Sequence, residues 1–228
     1  MSGIPSGTWS GRILVAAAVL AIGAPAPAQP TVTARPAGVK RRISDPKPAR
    51  AVTPGLRVGD PVPAVTIADA EGKPVKLSSL YEKGPIVVTF YRGGWCPFCQ
   101  RALRGWRDKI DDLKAAGATF VAIAPEKRDY GSKTREDLSL NYPVYTDETL
   151  EAARGFKVLF TLEDELQKRY KGFGIDLPER NASGTWQLPA PGTFVVDRSG
   201  TVRYAFADWD YKKRADPEKV IAAVRALK

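Results

Sequence analysis

An apolar run, two glycines and an amphipathic pattern follow one another between residues 86 and 124. The run Ile86–Tyr91 is β-branched and aromatic throughout, which is typical of a central strand buried on both faces. A second such run is Thr119–Ala124. Between them, apolar residues spaced by 4, 3, 4 and 3 positions predict one amphipathic helix that ends at Gly117: Cys99, Leu103, Trp106, Ile110 and Leu113. Strand, helix and strand in this order predict a parallel crossover.

The last part of the sequence predicts an antiparallel hairpin and a covering helix. Residues 193–196 and 202–206 are rich in strand-forming side chains and flank the turn sequence Asp197–Gly200. Asp216 and Pro217 then suit the N-cap and first position of a C-terminal helix. Together with the crossover, this order predicts an α/β protein with a thioredoxin-like fold, in which a central mixed β-sheet is flanked by helices on both faces.

The absence of histidine from the 228 residues removes several kinds of chemistry. It excludes serine–histidine–aspartate and cysteine–histidine nucleophiles and every metal site that depends on imidazole. Cys96 and Cys99 are the only cysteines, so one chain cannot build a disulfide scaffold or a four-thiolate metal site. The sequence also contains no glycine-rich dinucleotide loop. We therefore expect neither a metal nor a bound cofactor.

Residues 1–28 have the pattern of a signal peptide. Arg12 precedes the apolar run Ile13–Ile22, and Ala26–Ala28 forms a small-residue cleavage motif before Gln29. The run is shorter than the roughly 20 residues that span a bilayer, although an uncleaved N-terminal anchor is the alternative. The pattern predicts export to the periplasm or outside the cell.

Residues 29–56 predict a disordered linker, because they are rich in proline and basic residues and poor in large apolar side chains. This leaves residues 57–228 as the folded domain. The chain has a formal charge of +10, but residues 58–228 carry only +3, from 27 basic and 24 acidic side chains. A domain with nearly equal numbers of basic and acidic side chains does not predict a nucleic-acid partner. Membrane contact is expected only through the signal segment, or weakly through basic residues of the linker.

The two cysteines form a C-x-x-C motif where the first buried strand gives way to the helix. At a helix N-terminus, free N–H groups and the helix dipole stabilise a thiolate, so Cys96 is expected to be exposed with a lowered pKa. Cys99 begins the apolar stripe and is expected to be shielded. Arg92, Arg101 and Arg104 are close enough in sequence to add positive charge. This asymmetry suits an attacking thiol and a resolving thiol.

Two alternatives accompany this interpretation. One alternative is a structural disulfide between Cys96 and Cys99. Closing so short a loop, however, would contribute only about 2 kcal/mol to the stability of the fold in the chain-entropy model. Glu126, just after a strand, is either a solvated loop acid, which general exposure favours, or a buried proton carrier near the thiols.

Four segments together resemble the AhpC/TSA family of peroxiredoxin-like proteins: Leu56–Pro63, Phe90–Cys99, Ala124–Lys127 and Pro191–Asp197. The resemblance implies a thioredoxin fold and thiol redox chemistry. It also implies that Cys96 is the peroxidatic cysteine, that Cys99 is a local resolving cysteine, and that Pro191 is the cis-proline opposite the thiol pair. Trp95 before the motif and Thr193 after Pro191 are expected to support the site.

The motif departs from the family's usual pattern at two places. Gly93 stands where a threonine usually precedes the cysteine by three residues, and Pro191 stands where an arginine often polarises the peroxide. Arg92 is a candidate replacement for that arginine. These departures bring the motif closer to the thioredoxins.

The sequence therefore predicts an exported oxidoreductase that reduces hydroperoxides and is itself reduced by an external thioredoxin-like dithiol. Reduction of protein disulfides is the alternative activity. A non-catalytic binding module with a structural Cys96–Cys99 disulfide is the third hypothesis.

Overall fold

The computed structural model describes residues 53–227. The predicted signal peptide and residues 29–52 of the predicted linker lie outside the described residues. Within the described part of the chain, no helix is long and apolar enough to cross a membrane.

The strands are β1 (Thr66–Ala68), β2 (Pro74–Lys76), β3 (Ile86–Phe90), β4 (Thr119–Ala124), β5 (Val144–Thr146), β6 (Leu159–Thr161), β7 (Gln187–Pro189), β8 (Gly192–Val196) and β9 (Val202–Ala207). The helices are α1 (Ser78–Tyr81), α2 (Pro97–Arg107), α3 (Ile110–Ala116), α4 (Arg128–Asp137), α5 (Glu151–Gly155), α6 (Asp164–Gly172), α7 (Leu177–Arg180) and α8 (Pro217–Arg225).

Seven strands form one mixed sheet in the order β2-β1-β5-β4-β3-β8-β9, while β6 and β7 pair separately. At the centre, β3 runs parallel to β4 and antiparallel to β8. The predicted crossover and the predicted β8–β9 hairpin are both confirmed. The thiol motif follows directly from the carboxyl end of the central strand.

Apolar clusters cover both faces of the sheet. On one face, Val87 packs with residues of α2, α3 and α8, and on the other Val88 packs with residues of α5. All five residues of β3 are buried, as expected of a strand covered on both sides. The predicted thioredoxin-like fold with helices on both faces is confirmed.

The helix predicted to run from the thiol motif to Gly117 is broken in two. Its first part ends at Arg107, and the second begins at Ile110. The side chain of Asn141 donates to the carbonyl of Arg107 at 3.2 Å, and the N–H of Lys109 turns back to the carbonyl of Trp106. The apolar stripe continues across this break. The spacing of the apolar residues in the sequence therefore does not indicate where the first helix ends.

The folded domain begins before the predicted boundary at residue 57. Leu56 is buried in an apolar cluster, and the N–H of Gly55 donates to the carbonyl of Lys157 at 2.9 Å. A Cβ on Gly55 would lie 2.9 Å from the ring of Phe194. The last residues assigned to the linker are therefore part of the core.

Candidate active site

A tight loop connects β3 to α2 and carries the thiol motif. Cys96 is the N-cap residue of α2, and Pro97 occupies the first turn. The N–H of Cys96 donates to the carbonyl of Gly93 at 3.2 Å, and the side chain of Gln100 donates to the carbonyl of Gly94 at 2.7 Å. These bonds hold the loop against the first turn of the helix.

Both cysteines are buried free thiols. Cys96 is 2% exposed and Cys99 is 0% exposed. The expectation that Cys96 is exposed is therefore wrong, because apolar groups cover it despite its position at the helix N-terminus. The expectation that Cys99 is shielded is confirmed.

The electrostatics of the pair also differ from the prediction. The hydrogen bond with Cys99, together with burial, raises the pKa of Cys96 far above its ordinary value. Burial alone would raise the pKa of Cys99 as well. However, a hydrogen bond from the Cys96 thiol and the positive charges of Arg214 and Arg92 outweigh burial and lower the pKa of Cys99 to about 6. The group favoured as a thiolate is Cys99.

Arg214 is the residue that sequence reasoning missed. Its Nη2 donates to Cys99 Sγ at 3.4 Å, and its Nη1 donates to the carbonyls of Tyr211 and Lys213, so its orientation is fixed by its own loop. Arg214 lies 115 positions from Cys99 along the chain. No local pattern connects the two residues.

Arg92 is buried beside the thiol pair. Only 2% of the residue is exposed, and its guanidinium lies over the rings of Trp95, Tyr170 and Tyr211 at 5.4, 5.6 and 4.7 Å from their centroids. Its charge favours the thiolate form of both cysteines. Trp95 also packs edge-on against Tyr170. Arg92 and Trp95 thus share one aromatic cluster next to the motif.

Pro191, just before β8, and Thr193 within β8 lie beside the end of β3, which pairs with β8. Gly192 is opposite Phe90, which puts the buried Pro191 at the level of Tyr91. Thr193 is buried and exchanges a 2.9 Å hydrogen bond with Thr89. Thr193 lines the same cavity as Cys99. The cis form of the bond before Pro191 stays a prediction.

Glu126 is a buried acid beside the thiol loop, so the solvated-loop interpretation is wrong. It is 1% exposed and accepts a 2.8 Å hydrogen bond from the N–H of Gly94. Burial, partly offset by that bond and by the charge of Arg180, raises the pKa of Glu126 to about 7. The nearby Cys99 contributes to this rise in pKa. Burial therefore favours the protonated form of this carboxyl group.

The described residues contain no cluster of side chains suited to hold a metal ion. The chemistry that the site offers is that of two neighbouring thiols, one favoured as a thiolate and the other as a neutral thiol. Such a pair suits nucleophilic attack followed by disulfide formation.

The sequence profile of the AhpC/TSA family matches residues 58–205, which include the thiol motif and β8. The chain belongs to the AhpC/TSA family. The predicted family resemblance is thereby confirmed.

Two relatives of this chain are named peroxiredoxins. The chain is 32% identical to the chloroplastic peroxiredoxin Q of Sedum lineare over 164 residues, covering 72% of this chain and 73% of the relative. It is 26% identical to peroxiredoxin Bcp of Escherichia coli over 161 residues, covering 71% of this chain and 92% of the relative.

Among solved structures, peroxidoxin BcpB of Mycobacterium tuberculosis superimposes with a TM-score of 0.61 at 24% identity. The superposition covers 76% of this chain and 99% of that protein. This likeness supports the fold of the AhpC/TSA domain.

Proposed function

We propose that this chain is a thiol peroxidase that reduces hydroperoxides with the Cys96–Cys99 pair. The peroxiredoxin relatives support the reaction class, and the buried thiol pair at the start of α2 supplies the groups that it needs. An external dithiol of the thioredoxin type would return the oxidised pair to the reduced state.

Cys99 is proposed as the attacking thiol, which reverses the roles expected from the sequence. The observation that carries this assignment is the 3.4 Å contact between Arg214 Nη2 and Cys99 Sγ. A guanidinium beside a sulfur stabilises the thiolate, which is the nucleophilic form of cysteine. Cys99 also lines a cavity whose described lining does not include Cys96.

The reaction then proceeds in two balanced steps. The Cys99 thiolate attacks the terminal oxygen of R–O–OH and becomes a sulfenic acid, while the O–O bond breaks and the alkoxide takes up a proton to leave as R–OH. The thiol of Cys96 then attacks the sulfenic sulfur. Water leaves and a Cys96–Cys99 disulfide forms, ready for the external dithiol.

Single serine substitutions test the assignment. We expect Cys99→Ser to lose all reaction with hydrogen peroxide, whereas Cys96→Ser should still consume one equivalent and accumulate a sulfenic acid. Stopped-flow peroxide consumption and trapping with dimedone measure both outcomes. A sulfenic acid on Cys96 in the Cys99→Ser protein, with none in Cys96→Ser, would restore the roles that the sequence predicted.

Disulfide exchange is tested in parallel, because a C-x-x-C motif at a helix N-terminus also suits that reaction. The reduced wild-type protein is mixed with hydrogen peroxide or with a disulfide-bonded test protein. Faster reaction with peroxide supports the proposal. Fast exchange with slow peroxide reduction would favour a disulfide reductase, and inertness in both would favour a non-catalytic module.

A further inference from the structure

A cavity of about 320 Å³ opens beside Cys99, within the size range of small-molecule sites. Aromatic and apolar side chains make up part of its wall, among them Phe98 and Trp106. Three cationic side chains make up another part: Arg101, Lys212 and Arg214. The cavity therefore combines an apolar wall, a positive rim and a reactive sulfur.

The described lining of this cavity has no carboxylate to balance its positive charge. Within residues 53–227, none of the three cations forms an ion pair with a carboxylate. The neighbouring Lys213, which lies outside the lining, is paired with Asp208 at 2.9 Å. Arg214 faces the Cys99 sulfur, which leaves Arg101 and Lys212 as two cations without an ion-pair partner among residues 53–227, and such a pair beside one concavity attracts an anion.

The three cations differ in what they contact. Arg214 is directed onto Cys99 and is held by backbone carbonyls. Arg101 lies over the ring of Phe98 at 5.9 Å, and Lys212 lies over the ring of Tyr211 at 5.5 Å. Both of these side chains are exposed. Arg101 and Lys212 are thus available to a ligand at the mouth of the cavity, while Arg214 interacts with the sulfur of Cys99.

We propose that this cavity binds organic hydroperoxides that carry a carboxylate. Arg101 and Lys212 hold the carboxylate, the hydrocarbon part lies along Phe98 and Trp106, and the peroxide group reaches Cys99. The inference rests on the proposed peroxidase function and adds a substrate class to it. The carboxylate remains unchanged while the Cys99 thiolate takes the terminal oxygen and R–OH leaves.

The test compares one hydroperoxide in a charged and an uncharged form. Cumene hydroperoxide with a para-carboxylate and its methyl ester differ only in the anionic group. We expect the wild-type KM for the acid to be at least fivefold below that for the ester. In the double variant Arg101→Gln/Lys212→Gln, the KM for the acid should rise five- to tenfold and the KM for the ester less than twofold.

Arg104→Gln is the matched control. Arg104 lies on the same helix and is exposed, but it is not part of the cavity lining. It should leave the ratio of the two KM values unchanged. If Arg104→Gln changes the ratio as much as the double variant does, general surface charge explains the preference and the inference is overturned.

The outcomes separate the inference from the proposed function. Reduction of acid and ester with equal KM values would leave a peroxidase and overturn the carboxylate site. If the wild-type protein reduces no peroxide, calorimetric titration with the inert alcohol, 4-(2-hydroxypropan-2-yl)benzoate, tests the cavity directly. Saturable binding that weakens at least fivefold in the double variant would support the anion site, and no binding would overturn it.

Discussion

Cys96 and Cys99 differ because of what approaches each sulfur from elsewhere in the fold. Both are buried, and both lie in the first turn of one helix. The guanidinium of Arg214 donates to Cys99 Sγ at 3.4 Å. Helix position alone favours Cys96, whereas a charge at contact distance in a buried site is the stronger effect. For this reason, helix position predicts Cys96 as the attacking thiol, whereas the contacts in the structure favour Cys99.

Replacement of Arg214 with Gln should make Cys99 a weaker acid. Loss of the guanidinium charge should raise the pKa of Cys99 by about one unit, equivalent to ~1.4 kcal/mol. Alkylation of the reduced protein by iodoacetamide from pH 5 to 9, with the modified residue identified by mass spectrometry, measures the shift. Lys213→Gln is the control, because it removes an adjacent positive charge that is paired with Asp208. An unchanged profile in Arg214→Gln would contradict the assignment of Cys99.

The buried carboxyl of Glu126 should make the stability of the domain depend on pH. Its pKa is about 7 in the folded protein against an ordinary 4.5, so the folded state binds the proton more tightly. The free energy of unfolding should therefore fall as pH rises from 4.5 to 7. The full difference corresponds to about 3 kcal/mol.

Glu126→Gln should remove that dependence while its amide oxygen still accepts from the N–H of Gly94. Urea unfolding should show the variant ~1–3 kcal/mol more stable relative to wild type at pH 8 than at pH 5. The exposed Glu136→Gln serves as control. A stability difference that is equal at the two pH values would mean that Glu126 is ionised throughout.

At the scale of elements, the site depends on how closely the β3–α2 loop approaches α4. A Cβ on Gly94 would collide with Thr134, whose own Cβ would lie 3.1 Å away. The N–H of Gly94 also donates to Glu126. Glycine at this position lets three segments meet without a side chain between them.

Gly94→Ala should therefore lower the free energy of unfolding by ~1–3 kcal/mol, the usual cost of overpacking. It should also slow peroxide consumption, because the loop carries Cys96. Gly105→Ala is the control for stability, since a Cβ there has nothing within 4 Å and Gly105 lies within α2. Replacing a helical glycine should stabilise that variant by about 0.5–1 kcal/mol. Similar urea midpoints for the two variants would contradict the proposed close approach.

The order of elements follows from the sequence, but the contacts between distant elements do not. Alternation and helical spacing located β3, β4 and the β8–β9 hairpin, because periodicity reports which side chains face the core. At the break between α2 and α3 Asn141 donates to the carbonyl of Arg107, and at the thiol pair Arg214 donates to Cys99. Each donor comes from another part of the chain. The burial of Glu126 likewise requires the loop near Asn181 to pair with it.

At the scale of the whole molecule, the N-terminal segment and the domain that carries the thiols differ in net charge. Most of the excess positive charge belongs to residues 1–57, and the domain that carries the thiols is nearly neutral. We propose that residues 1–28 direct export and that catalysis resides in the AhpC/TSA domain. Nearly all of the proposed leader and linker lies outside the described residues, so this proposal rests on sequence pattern.

The mature protein is expected to begin near Gln29 in the periplasm or the medium. The apolar run is short, and the small residues Ala26–Ala28 suit a signal peptidase. N-terminal sequencing of protein recovered from the exported fraction checks the cleavage point. An intact Met1 in the membrane fraction would instead identify an uncleaved anchor.

The placement of both sulfurs at the start of α2 affects how well the attacking cysteine resists overoxidation by peroxide. A sulfenic acid on Cys99 would already have the Cys96 thiol as a neighbour at the start of α2, with no need for a helix to unwind or a second subunit to arrive. Disulfide closure then competes well against a second peroxide molecule, which would drive the sulfur to the irreversible sulfinic acid. We therefore expect this protein to stay active at peroxide concentrations that would inactivate a peroxidase whose two cysteines lie far apart.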